Sequence, residues 1–140
     1  MWKTILLIGL LHGSVSFDAW STNQRINQAP PGWNIHENNP LLAPFAGKKR
    51  MYVAINLPLI PLDVWLLKRP NSRLPRYLAA GVIGQGLYFG TRNSRGHNAD
   101  WREFDRCQKE MQQAAVDAVL NQRVIHGSML RTSDGFNGAQ

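Results

Sequence analysis

Three apolar stretches are set into an otherwise polar chain, and each is bounded by aromatic or basic residues: 2–22, 51–67 and 74–91. The first carries Trp2 and Trp20, about 27 Å apart on a helix, close to the ~30 Å thickness of a bilayer's hydrocarbon core. The second is apolar all round, holds one charge (Asp63) and ends at Trp65 before Lys68 and Arg69. Its two prolines, Pro58 and Pro61, each remove a backbone donor and predict a kink. The third is rich in small residues. Ala79, Gly86 and Gly90 share one helical side, and Ala80 and Gly84 lie on another. Small residues let helix backbones approach closely in lipid, so two such faces suit a helix between two neighbours, or a hairpin that dimerises.

The segments between are of three kinds. Residues 23–50 form a polar loop. Pro30-Pro31-Gly32 breaks it, and Leu41, Leu42 and Phe45 are too few to cross a membrane. Residues 68–76 make a tight turn containing Lys68, Arg69, Arg73 and Arg76. Residues 92–99 read as a polar linker, after which Asn98 or Asp100 caps an amphipathic helix within 93–125. Phe104, Cys107, Met111, Ala114, Ala115, Ala118 and Val119 fall on one face of that helix. Its opposite face mixes charges, with Asp105/Lys109 and Arg106/Glu110 at supportive four-residue spacing. Residues 126–140 are Gly/Ser/Asn-rich and are expected to be disordered.

Composition changes this picture little. The net charge of +7 is carried mainly at the edges of the apolar stretches, where it meets anionic headgroups. It is not gathered on one face with exposed aromatics, which argues against a nucleic-acid partner. The single cysteine, Cys107, excludes an intrachain disulfide and a Cys-rich zinc site. Lys3, the run 5–11, and Ser14 and Ser16 also fit a secretory signal peptide, which would leave a two-span hairpin after cleavage. A retained first helix is the preferred reading. The basic-residue count favours a cytoplasmic 23–50 loop and C-terminus, whereas the density of charge in 68–76 argues for the reverse.

Ionisable residues inside a span need a partner or a purpose. His12, Asp18 and Asp63 are the candidates. His12 and Asp63 fall at similar depth in antiparallel neighbours, with Asn56 and Gln85 in reach. A polar pair locking helix register is preferred over a proton or ion relay. His36-Glu37 lacks the second histidine of a zinc-protease helix, since position 40 is Pro40. No nucleophile elbow, phosphate-binding loop or dinucleotide fingerprint occurs. No catalytic, cofactor or metal residue is therefore assigned.

The run Phe17-Asp18-Ala19-Trp20-Ser21-Thr22, followed by Glu37-Asn38-Asn39-Pro40-Leu41-Leu42, resembles a family of small bacterial integral membrane proteins defined only as a domain of unknown function. In that family an Asp followed by Ser/Thr closes the first helix, and Glu-x-Asn-Pro-Leu precedes the second. The resemblance covers roughly residues 5–92. It implies several spans in a bacterial inner membrane and supplies no activity. It also suggests that Asp18, Thr22, Glu37 and Asn39 gather at one membrane face.

The expectation is thus an all-α integral membrane protein. It has about three transmembrane helices in 1–92 and an amphipathic C-terminal helix. Its partners would be the bilayer and, through 101–123, a second copy or another membrane protein. The expected function is a non-enzymatic structural or assembly component. The alternatives are a membrane enzyme or transporter-like element using the polar cluster His12, Asp18, Thr22, Glu37, Asn39 and Asp63, and an exported protein with a cleaved signal.

Overall fold

A computed structural model describes residues 1–134, with side chains described through Arg123. Among the described residues the fold is all-helical, without strands. Four α-helices follow one another: α1 (Trp2–Asn27), α2 (Arg50–Asn56), α3 (Ile60–Lys68) and α4 (Arg73–Asp134). Single 3₁₀ turns occupy Ala43–Phe45 and Leu57–Leu59.

Helix α1 has no proline to interrupt it until Pro30. It closes with the Gln28 amide donating to the Gln24 carbonyl at 2.9 Å. Leu11, Val15, Ala19 and Thr22 recur at helical spacing and are all buried, so one stripe of α1 faces inward. The two prolines of the second apolar stretch fall where the helix changes form. Pro58 lies in the 3₁₀ turn Leu57–Leu59 and Pro61 in the first turn of α3. The missing donors are thereby taken at or near a helix start, where they matter least.

Residues Met1–Trp101 form one compact unit. Within it, α2 and α3 run antiparallel to α1, since Lys48 meets Asn23 while Asp63 meets His12. The first part of α4 runs parallel to α1. A Cβ on Gly86 would strike the Ser14 backbone at 2.8 Å, one on Gly90 would strike the Phe17 ring, and Trp101 donates to the Gln28 carbonyl at 2.9 Å. Leu11, Leu66 and Ala79 are the buried centre where the three layers meet. The Ala79–Gly86–Gly90 side of α4 is the one pressed against α1. The other side is open, with nothing within 4 Å of a Cβ on Gly84.

The polar linker expected at 92–99 is helical instead, as part of α4. Gly96 reads as a breaker in sequence, but its bare Cα makes room for a side chain. A Cβ there would lie 2.7 Å from the Arg25 guanidinium carbon. Arg25 passes over it to a two-pronged ion pair with Asp100, at 2.8 and 3.2 Å. Asp100, expected as a cap, is the partner of that arginine.

The second unit begins at Arg102. It is helix with an exposed surface. Arg106 is bonded to Glu103 and lies 3.9 Å from Glu110, and Gln113 donates to Asp117 at 2.9 Å. Met111, Val116, Val119 and Leu120 are exposed. Of the expected tail, 126–134 belong to α4, and 135–140 lie outside the described residues.

One helical stretch among the described residues, Arg50–Lys68, is long and apolar enough to cross a membrane by length and composition. The stretches 2–22 and 74–91 are helical but do not reach that measure.

Candidate functional site

Two polar assemblies lie between the helices of the first unit. The deeper one is centred on His12. Its Nε2 is 2.7 Å from Asp63 Oδ2 and its Nδ1 is 2.6 Å from Asn56 Oδ1. The amide of Asn56 has a fixed sense, because its nitrogen donates to the Tyr52 carbonyl at 2.7 Å and to Ser16 Oγ at 3.1 Å. Its oxygen therefore faces the histidine, and His12 Nδ1 is a donor. The other ring nitrogen faces a carboxylate, so the His12–Asp63 pair holds a proton between them. Asp63 Oδ1 is buried and has no hydrogen-bond partner among the described residues. Helical spacing explains the meeting. Asn56 and Asp63 lie seven residues apart, two turns along one face, and the 3₁₀ turn keeps that face toward α1.

The second assembly is a cavity of about 610 Å³ toward the end of the bundle that carries the 23–50 loop. Asp18, Thr22, Glu37 and Asn39 all line it, together with Arg25, His36, Gln85, Arg92 and Asn93. Asn93 ties two of them, donating to Thr22 Oγ1 at 2.8 Å and to Asp18 Oδ1 at 3.2 Å. Glu37 and Asn39 sit in a self-capped turn. The Asn39 amide donates to Glu37 Oε1 at 2.9 Å, and the Leu41 amide donates to Asn39 Oδ1 at 3.0 Å. The inner wall is apolar: Val15, Ile55, Leu59 and Val82. The cavity is therefore amphipathic, with polar groups around its loop end and aliphatic groups deeper in.

The loop is held over the cavity by the last turns of α1. Asn23 accepts from the Gly47 amide at 2.8 Å and donates to the Lys48 carbonyl at 3.2 Å. Asn27 donates to the Gly47 carbonyl at 2.9 Å. Gly47 has φ +73°, a left-handed conformation that suits glycine, and a Cβ there would lie 2.8 Å from Asn27 Oδ1.

The six residues singled out in sequence thus fall into two sites: His12 with Asp63, and Asp18 with Thr22, Glu37 and Asn39. Gln85 lines the cavity rather than joining His12. Residues that sequence reasoning passed over are Ser16, Asn93, Arg25 and Asp100. Asn93 lies in a run, Arg92-Asn93-Ser94-Arg95, where nothing sets one polar residue apart. Among the described residues no group of three His, Cys, Asp or Glu is placed to hold a metal ion.

No protein-family model matches the chain, and no curated protein or solved structure matches it either. The resemblance over residues 5–92 therefore rests on its short motifs alone.

Proposed function

We propose that this is a small integral membrane protein with three spans, a non-enzymatic component that holds a partner molecule in the cavity beneath the 23–50 loop. The observation that carries this reading is the inverted distribution of polarity. The interior groups are His12, Asp63, Asn56, Ser16, Asn93 and Thr22. The exterior displays Leu6, Leu10, Val53, Leu57, Ile60 and Val64, each at least 43% exposed. Only 11% of the stretch Arg50–Lys68 is buried, which supports a lipid-facing helix over the core helix of a bundle. A surface of this kind is unfavourable in water and favourable in lipid.

The aromatics support the same frame. With α1 antiparallel to α2–α3 and parallel to α4, Trp2 and Tyr77 fall near one end. Trp20 and Tyr52 fall nearer the other. Two such belts are what headgroup-level side chains produce. Arg73 and Arg76 lie near the first group, and Lys48, Lys49 and Arg50 lie beyond the second. A binding role is favoured over catalysis because, among the described residues, the cavity sets no nucleophile against a base.

The test is the intact mass of the protein in membranes washed at alkaline pH. Full-length protein in the washed pellet supports three spans. A soluble protein, or one lacking the first 16 residues, defeats the reading.

A second reading is favoured by one observation, the buried and unpartnered Asp63 Oδ1 beside a proton-sharing His12. In it the pair passes a proton across the bundle. Acidification of dye-loaded liposomes that is lost in Asp63→Asn would support it, and proton-tight liposomes would reject it.

A further inference from the structure

We propose that the cavity receives a zwitterionic amphiphile: a primary ammonium and a phosphodiester on an apolar tail, the headgroup chemistry of an ethanolamine phospholipid. The inference rests on the membrane reading above and names the molecule held.

The fixed charges around the cavity argue for it. Arg25 gives its Nε and Nη2 to the two oxygens of Asp100, which answers its charge. Two carboxylates remain, Asp18 and Glu37, near enough to act on each other electrostatically. Each has one oxygen bonded to the protein, Asp18 Oδ1 to Asn93 and Glu37 Oε1 to the Asn39 amide. The second oxygen of each makes no hydrogen bond among the described residues. Arg92 also lines the cavity, and among the described residues it has no acidic partner. The available charge is therefore two negative and one positive. A simple anion meets two like charges, and a simple cation leaves Arg92 unanswered. A zwitterion meets both kinds.

Three features narrow the class. The ammonium must donate hydrogen bonds, because the open carboxylate oxygens are acceptors, and a quaternary ammonium offers no N–H donor. The phosphodiester suits the guanidinium of Arg92, which binds such oxyanions through paired N–H groups. The tail suits the aliphatic wall of Val15, Ile55, Leu59 and Val82, and a volume of about 610 Å³ admits a headgroup and the first part of a chain.

The experiment uses the full chain in detergent micelles. It counts bound lipid by native mass spectrometry as phosphatidylethanolamine, phosphatidylcholine or phosphatidylglycerol is added, with water-soluble phosphoethanolamine as a fourth probe. One phosphatidylethanolamine should be retained at least about tenfold more tightly than the other two lipids. Glu37→Gln, on the loop, and Asp18→Asn should each bring it toward phosphatidylcholine. Arg92→Gln should weaken all phospholipids while sparing a long-chain primary amine. Equal binding of the three lipids, or a preference unchanged in the Asp18→Asn/Glu37→Gln double variant with native circular dichroism, overturns the proposal. Phosphoethanolamine binding as tightly as the lipid overturns the amphiphile and leaves a soluble zwitterion. Alkaline extraction reports separately on membrane insertion. A protein that stays in the pellet but shows no lipid preference refutes this inference alone.

Discussion

At the scale of single residues, partnering decides what a polar group does inside an apolar frame. His12 spans two acceptors, Asn56 Oδ1 and Asp63 Oδ2, and removing it would leave Asp63 with neither oxygen bonded. The pair is partly open, with side-chain exposures of 32% and 17%, so solvent moderates the loss. His12→Ala is expected to destabilise by about 1–3 kcal/mol, and His12→Leu/Asp63→Leu by less, since no orphaned charge remains. Thermal unfolding in detergent orders the two, and a double variant weaker than the single would refute the argument. Asn93 gives a second test. Asn93→Ala loses two bonds at about 1 kcal/mol each, and Asn93→Asp should be worse because it sets a carboxylate 3.2 Å from Asp18. Stability measured at neutral pH separates them, and the order would invert if Asp18 made no use of a donor. His12, Asp18 and Asp63 stand out in sequence because an ionisable group within an apolar run is costly unless answered. Asn93 and Asp100 do not stand out. Each is polar among polar neighbours, and the partners Asp18 and Arg25 lie 75 residues earlier.

At the scale of elements, close approach rather than propensity explains where α4 contacts α1. Gly86 sits on the Ser14 backbone and Gly90 on the Phe17 ring, while Gly84, on the same helix, faces open space. Gly86→Val must part the two backbones, which is expected to destabilise by several kcal/mol, beyond the usual ~1–3 kcal/mol of overpacking against side chains. Gly84→Ala should be neutral or stabilising by up to about 1 kcal/mol, because the helix accepts alanine without a clash. Melting temperatures of the two variants check this, and equal losses would show that the approach is not tight. The all-helical class was legible in hydrophobic spacing, whereas the inward stripe of α1, through Leu11, Val15, Ala19 and Thr22, was not singled out. The small-residue side Ala79–Gly86–Gly90 was visible as a pattern, but which of two small faces met a neighbour was not. That choice depends on the partner helix and not on α4 itself. The passage through 92–99 was hidden for a related reason. Glycine and asparagine in a polar run read as a linker, and only the tertiary contact of Arg25 with Asp100 shows why Gly96 stays helical.

At the scale of the molecule, the helix directions of the first unit make a definite statement about sidedness. Helices α1 and α4 run parallel through residue 101, and α2–α3 packs beside them in the opposite sense. A protein inserted in this way places the start of α1 and the turn between α3 and α4 on one side of the bilayer. The 23–50 loop and residues near 95 then lie on the other. With Cys107 replaced by serine, single cysteines at Lys3→Cys and Ser72→Cys should react with an impermeant maleimide from one side of sealed vesicles. Asn34→Cys and Arg95→Cys should react only from the other. The exposed Leu and Val side chains fit the same expectation, because lipid is a more favourable surrounding for them than water. About 0.8 kcal/mol per buried methylene makes partial withdrawal of α1 or α4 from the bilayer unfavourable. If Lys3→Cys and Asn34→Cys react from the same side while Ser72→Cys and Arg95→Cys react from the other, only α2–α3 crosses, and α1 lies at the surface. If all four react from one side, none of the helices crosses, and the apolar exterior must be covered by protein instead. Agreement of all four with the alternating pattern would also fix the cavity at one interface. There Asp18, Glu37 and Arg92 meet the headgroup layer, while Val15 and Leu59 line the cavity at the depth of the hydrocarbon.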